Sequence, residues 1–150
     1  MMRMSTKGHH TIRILAFLAN SPGRVVTKQE IGGAENISPG YIQQLMGGLT
    51  NAGIVKSVRG KEGGFMLARP PEDITVREVL DITEGPFELS YCTSHPESCS
   101  RVETCPANPL WCRVTAAVNE VFDRTTLADL SGTSSRAPDW ASEASATPTL

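Results

Sequence analysis

The side chains best suited to chemistry in this 150-residue sequence fall in one stretch, "CTSHPESCSRVETCPANPLWC", which holds all four cysteines between Cys92 and Cys112. Thiolates are soft ligands for iron-sulfur clusters, zinc or Cu(I), and thiols also oxidise reversibly. The spacing C-x6-C-x5-C-x6-C matches neither the paired C-x2-C of zinc ribbons nor the ferredoxin run. Tight turns therefore do not supply the geometry. A long loop, stiffened by Pro96, Pro106 and Pro109, must fold around whatever it binds. Residue chemistry leaves three readings: an iron-sulfur cluster, a zinc site, or redox or core thiols without a metal. No nucleophile with a paired base, no phosphate loop and no carboxylate pair is evident in the chain, so no enzymatic activity is expected.

The bulk numbers narrow the setting. A length of 150 with 39% apolar residues suits one compact domain with a helical appendage. The opening "MMRMSTKGHHTIRILAFLANSPG" resembles a signal peptide only superficially, because Arg13 interrupts its apolar run and no small-residue cleavage site follows. No run approaches the ~20 apolar residues of a membrane span, and a cytoplasmic protein is expected. There, an even set of cysteines more often binds metal or does redox work than forms a disulfide framework.

Net charge is −2, but it is unevenly placed. Residues 1 to 71 carry nine basic side chains (Arg3, Lys7, Arg13, Arg24, Lys28, Lys56, Arg59, Lys61, Arg69) against Glu30, Glu35 and Glu62, a balance of +6. The remainder carries five basic and thirteen acidic side chains, a balance of −8. A polyanion-binding module joined to a different module produces that asymmetry.

The elements that must position these groups follow from caps and periodicity. Residues 6 to 20 read as a helix apolar on most sides. Thr27 with Glu30 forms a capping box for a short helix to about Ala34, and Ser38 caps a third helix with Pro39 at its first position. Tyr41, Ile42, Leu45, Met46, Leu49 and Ala52 mark the buried side of that helix, and Gly53 ends it. "IVKSV" and "FMLAR" are strand-like runs joined by the basic, glycine-rich "RGKEGG". The expected fold is mainly α: a winged helix-turn-helix domain over 1–84, a cysteine-rich loop over 85–108, a long dimerisation helix over 109–130 and a disordered tail over 131–150. A second capping box, Thr75 with Glu78, opens a helix within the first unit. Trp111, Val114, Val118, Val121 and Thr125 recur at helix-seam spacing in the long helix.

In a helix-turn-helix the second helix enters the major groove with its first turns at the base edges. That puts Ser38, Pro39, Gly40, Tyr41, Gln43 and Gln44 at the groove. Gln pairs in bidentate fashion with adenine, and Ser and Tyr suit phosphate contacts. Arg59 and Lys61 flank the hairpin tip, within reach of phosphates or a narrow minor groove. Gly40, Gly47 and Gly48 each cost a helix roughly 1 kcal/mol relative to Ala, which a close approach by another backbone or by DNA would explain.

The segments "MRMSTKGHHTIRILAFLA", "ISPGYIQQLMGGLTNAGIVKSVRGKEGGFMLARP", "ITVREVLDITEG" and "TTLADL" together resemble the Rrf2 family of bacterial transcription factors, notably its iron-sulfur members of the IscR, NsrR and RirA types, from Met2 to about Leu130. The resemblance implies a homodimeric winged-helix regulator with an iron-sulfur cluster, 2Fe-2S or 4Fe-4S, in the loop before the dimerisation helix. Cys92, Cys99 and Cys105 stand where the family places three cysteine ligands. Asn108 stands where IscR-type members have a histidine, and the first cysteine interval is a residue longer than theirs. Cys112 lies outside the three-cysteine pattern. Two candidates for a fourth ligand follow: Cys112, near the end of the loop, and His9, because some relatives take a non-cysteine ligand from this part of the first helix, which in a dimer can reach the partner's loop.

The function expected is a DNA-binding transcriptional regulator, a repressor acting at a palindromic double-stranded operator, that senses iron, redox or nitric oxide status through its cluster. The alternative is a redox or zinc-binding protein without specific DNA recognition.

Overall fold

The computed structural model describes residues 4–133. Hydroxyl caps set the helix starts. Ser5 accepts from the Gly8 N–H to begin α1 (Thr6–Ala19), Thr27 and Glu30 form the full capping box of α2 (Lys28–Glu35), and Ser38 accepts from the Tyr41 N–H to begin α3 (Pro39–Asn51). Such caps contribute about 1 kcal/mol each. Gly53, at φ +73°, turns the chain out of α3.

β1 (Val55–Val58) and β2 (Gly64–Leu67) then pair antiparallel, Val55 opposite Leu67 and Val58 opposite Gly64. Val26, just ahead of α2, bridges to Phe65 with two N–H···O bonds of 2.8 Å. A Cβ on Gly64 would stand 2.1 Å from the Val26 carbonyl oxygen, so this approach requires glycine. The hairpin is thereby tied to the root of α2.

α4 (Val76–Thr83) follows, and the chain then leaves the core through α5 (Tyr91–Ser94), two 3₁₀ turns at 96–98 and 102–104, and α6 (Asn108–Arg124). It returns in α7 (Leu127–Ser131). One core joins Ile14, Leu15 and Leu18 of α1 to Ile42, Met46 and Leu49 of α3, with Val26, Phe65, Ile74 and Leu127 closing it. Burying such a side chain contributes roughly 1.5 to 3 kcal/mol. The architecture is the mainly α winged helix expected.

Three expectations are revised. The single helix over 109–130 is two: α6 stops at Arg124, Thr125 and Thr126 are extended, and Thr126 with Asp129 makes a capping box that restarts the chain as α7. Thr125, expected on the seam, is instead buried beyond the helix end, where its carbonyl accepts from the Val76 N–H at 2.8 Å. The cause is tertiary: the Thr75–Thr126 bridge and the Leu127 N–H bond to the Ile74 carbonyl (3.0 Å) take up backbone groups that a continuous helix would bond internally. Thr75 does cap α4, but the Glu78 carboxylate is held by Arg69 at 2.6 Å, so the capping box there is only half made. Of the disordered tail expected over 131–150, Ser131 instead ends α7 and Gly132 caps it; residues 134–150 lie outside the described residues.

Leu127→Ala empties a fully buried position in the returning segment. It should cost about 2 to 5 kcal/mol in denaturant unfolding of the full chain. A loss below about 1 kcal/mol would show that α7 adds little to the core.

Candidate nucleic-acid interface and cysteine loop

α2 meets α3 through a tight turn. Asn36 adopts the left-handed conformation (φ 56°, ψ 47°), and the buried Ile37 donates its N–H to the Gly32 carbonyl at 3.2 Å. A Cβ on Gly32 would lie 2.7 Å from the Ile37 carbonyl oxygen, so a helical glycine with no obvious role in the sequence is what lets the turn close. α3 buries Ile42, Leu45, Met46 and Leu49 and turns Ser38, Pro39, Gly40, Gln43 and Gln44 to solvent. Tyr41 is half-buried, its ring edge-on to His10 of α1 at 5.9 Å. Gln43 accepts from the Lys28 ammonium at 3.3 Å, whereas Gln44 makes no side-chain hydrogen bond among the described residues. A Cβ at Gly40 or Gly47 would meet nothing within 4 Å, so no approach among the described residues accounts for them.

The positive charge is narrower than the sequence suggests. Arg13 pairs with Glu35 and Arg24 with Glu30, both at 2.7 Å, and Arg69 is spent on Glu78. Lys56, Arg59 and Lys61 are exposed and have no acidic partner among the described residues. The available charge therefore lies on the hairpin, with Arg59 and Lys61 at its tip, and at Lys28 beside α3. Glu30 also holds α2 in place: its carboxyl is lowered from 4.5 to about 2, first by the hydrogen bond from Arg24, then by the Thr27 backbone N–H and hydroxyl.

All four cysteines are free thiols; Cys92, Cys99 and Cys105 are half-buried and Cys112 is exposed on α6. Asn108, in the first turn of α6, lies between two of them. Its side-chain N–H₂ is 3.8 Å from Cys92 Sγ, and its Oδ1 accepts from Cys112 Sγ at 3.7 Å. The Ser90 hydroxyl is 3.3 Å from the same Cys92 sulfur. His95, inside the cysteine spacing but not among the residues expected to act, stacks on Tyr91 at 4.4 Å, with Nδ1 3.4 Å from Glu97. An imidazole inside the cysteine spacing was the signal that could have drawn attention to it.

The remaining candidate, His9, is exposed on α1 and lines a groove with Val121 and Phe122. At about 1.5 Å of rise per residue, most of α6 separates that point from Cys112. Within one chain the structure brings Cys92 and Cys112 to Asn108 and leaves His9 at the other end. Among the described residues no three His, Cys, Asp or Glu side chains stand close enough to hold a metal ion. The donor set, three half-buried free thiols in one loop, fits the chemistry of an iron-sulfur cluster or zinc. α6 itself has no buried residue, and Leu110, Trp111 and Val121 are 52%, 37% and 56% exposed.

A family model described as Rrf2, an iron-dependent transcriptional regulator, matches residues 4–133. The chain belongs to the Rrf2 family. The HTH-type transcriptional regulator CymR of Bacillus subtilis is 38% identical over 130 residues, covering 86% of this chain and 89% of that protein. The structure of CymR from B. subtilis, described as its global cysteine regulator, superposes with a TM-score of 0.73 at 35% identity, over 89% of this chain and 99% of that one. IscR from T. potens superposes at 0.67 with 32% identity, over 88% of each chain. Rrf2 proteins are DNA-binding transcriptional regulators and not enzymes, which gives the basic winged helix its role. Among the described residues no helix is long and apolar enough to cross a membrane.

The Glu30 environment predicts acid sensitivity. A carboxyl lowered on folding contributes stability that is complete above its unfolded value of 4.5 and is lost as pH falls toward about 2. Glu30→Gln should therefore flatten the fall in thermal midpoint across that window. An unchanged slope would mean that the Arg24 and Thr27 contacts are not formed in solution.

Proposed function

We propose that this Rrf2 protein is a cytoplasmic, homodimeric repressor in which Cys92, Cys99 and Cys105 hold an iron-sulfur cluster that reports iron, redox or nitric oxide status. The observation that carries this reading is the placement of three half-buried free thiols in the segment between α4 and α6. A bound cluster supplies irons and sulfides that oxidants and nitric oxide attack. The three thiolates anchor the loop, and either Cys112 or the partner's His9 completes the ligand set. A loop released from its ligand changes what it packs against at the start of α6. The exposed apolar line of α6 is covered by a second copy, which fixes two recognition helices at half-site spacing on a palindromic operator.

Each α3 would enter the major groove with Ser38, Pro39 and Gly40 at the phosphates and Gln43 and Gln44 at base edges, Tyr41 being braced by His10. Arg59 and Lys61 would take backbone phosphates from the wing. The bare surfaces of Gly40 and Gly47 would let DNA approach α3 closely. A second reading keeps the DNA-binding role and dispenses with the cluster: the loop senses through thiols or zinc alone. The Asn108 contacts to two thiols and the similarity to a cysteine regulator favour it.

Gln44→Ala should relax discrimination at one base position by about 1 to 3 kcal/mol per half-site. Arg59→Ala should instead weaken binding to every sequence and lower the salt slope by about one. Parent-like operator binding by both variants would refute this docking.

Anaerobic purification followed by absorption spectroscopy and iron and sulfide assays tests the cluster. Cys92→Ala, Cys99→Ala and Cys105→Ala should each abolish it, and of Cys112→Ala and His9→Ala the one that removes a ligand should lower cluster content and shift the spectrum. A colourless parent without iron or sulfide leaves the thiol reading in its place.

A further inference from the structure

Cys112 lies outside the three-cysteine pattern, and its surroundings give it a specific partner. Asn108 and Cys112 are one helical turn apart on α6, so they keep the same face whatever the loop does. The Asn108 carboxamide reaches Cys112 with its oxygen (3.7 Å) and Cys92 with its nitrogen (3.8 Å). One side-chain amide thus stands between two thiols. Cys92 rides on α5, a four-residue helix whose Ser90 hydroxyl lies against the Cys92 sulfur (3.3 Å) and caps no helix N–H, and the neighbouring Leu89 N–H is bonded to Thr115 of α6 at 3.4 Å. Neither Cys99 nor Cys105 makes a side-chain hydrogen bond among the described residues, so these two thiols have no comparable tie.

We propose that Cys92 and Cys112 form a reversible disulfide in the metal-free protein under hydroperoxide, with the Asn108 side chain as the gate between them. The proposal rests on the loop being the sensing element, but not on the cluster. Cys112, the exposed thiol, meets the oxidant first. Its sulfur attacks a peroxide oxygen, the O–O bond breaks, the alcohol (water, for hydrogen peroxide) leaves with the thiol proton, and Cys112 becomes a sulfenic acid. The Cys92 sulfur then attacks that of Cys112, the S–O bond breaks, and the departing hydroxide takes the Cys92 proton as water. Two electrons pass from the sulfur pair to the peroxide, giving one disulfide, one alcohol and one water.

A disulfide brings Cβ atoms to about 3.5 to 4.5 Å, so the carboxamide must swing out before the bond closes. The short α5 is the element that can follow, since α6 is a regular helix of 17 residues. The closed bond staples α5 to the first turns of α6. It also withholds Cys92 from any metal until a reductant reopens it, so a stripped and oxidised sensor cannot reload at once.

The full chain, stripped of metal by a chelator under anaerobic conditions and treated with stoichiometric hydrogen peroxide, is digested without reduction and mapped by mass spectrometry. A peptide linked through Cys92 and Cys112, released by dithiothreitol, is the expected product. A Cys99–Cys105 link, or sulfinic acid at Cys112 with no link, overturns the proposal. Asn108→Ala should close the disulfide several times faster, and an equal or slower rate removes the gate. The double variant Cys99→Ser, Cys105→Ser cannot hold the proposed cluster but should give the same Cys92–Cys112 yield. Loss of that yield overturns the proposal, whereas an absent cluster in the parent leaves it standing.

Discussion

The contact on which the rest depends is the clasp between residues 74–76 and 125–127. Val76 donates to Thr125, Leu127 donates to Ile74, and the Leu127 side chain then fills the core between α1 and the chain ahead of α4. Every residue from the end of α4 to the end of α6 is an excursion from this point and back to it. The excursion leaves and re-enters the DNA-binding unit within one backbone ladder. The loop and α6 are therefore joined through this ladder to α4 and α1, the elements that pack on α3.

The excursion is also the least buried part of the structure. α6 buries none of its 17 residues, and the cysteine loop is built from one short helix and two 3₁₀ turns. Segments with few buried apolar contacts sit at the low end of the local stability range. That is where a ligand-driven or redox-driven change costs least. The winged helix, by contrast, is fastened at both ends: Val26 to Phe65 at the wing and Thr126 to Thr75 at the clasp.

Electrostatics sharpen the division. Three arginines of the basic half are used internally, and the Glu30 carboxylate serves a helix start as well as an ion pair. Exposed pairs of this kind contribute little stability individually, so their larger effect is on where positive charge remains available. It remains on the hairpin and beside α3, where a polyanion would be met.

Much of this was legible in order along the chain. Thr27 with Glu30, Ser38 with Pro39, and the two strand runs around "RGKEGG" specify their elements through interactions within a few residues, and the structure forms each of them. The four-cysteine stretch and the basic half were equally readable, because residue type and spacing carry that information. What required the tertiary structure were matters of pairing between distant segments. The break of the long helix at Thr125 is made by Ile74 and Val76, some fifty residues earlier, while the apolar spacing runs on through the break. The need for glycine at 32 and 64 comes from the Ile37 and Val26 carbonyls. Asn108 reads in the sequence only as a missing histidine, and its place between Cys92 and Cys112 exists because α5 packs on α6. Local caps and turns are chosen by neighbours along the chain, whereas the partner of a backbone group or a thiol is chosen by whichever segment the core's burial brings beside it.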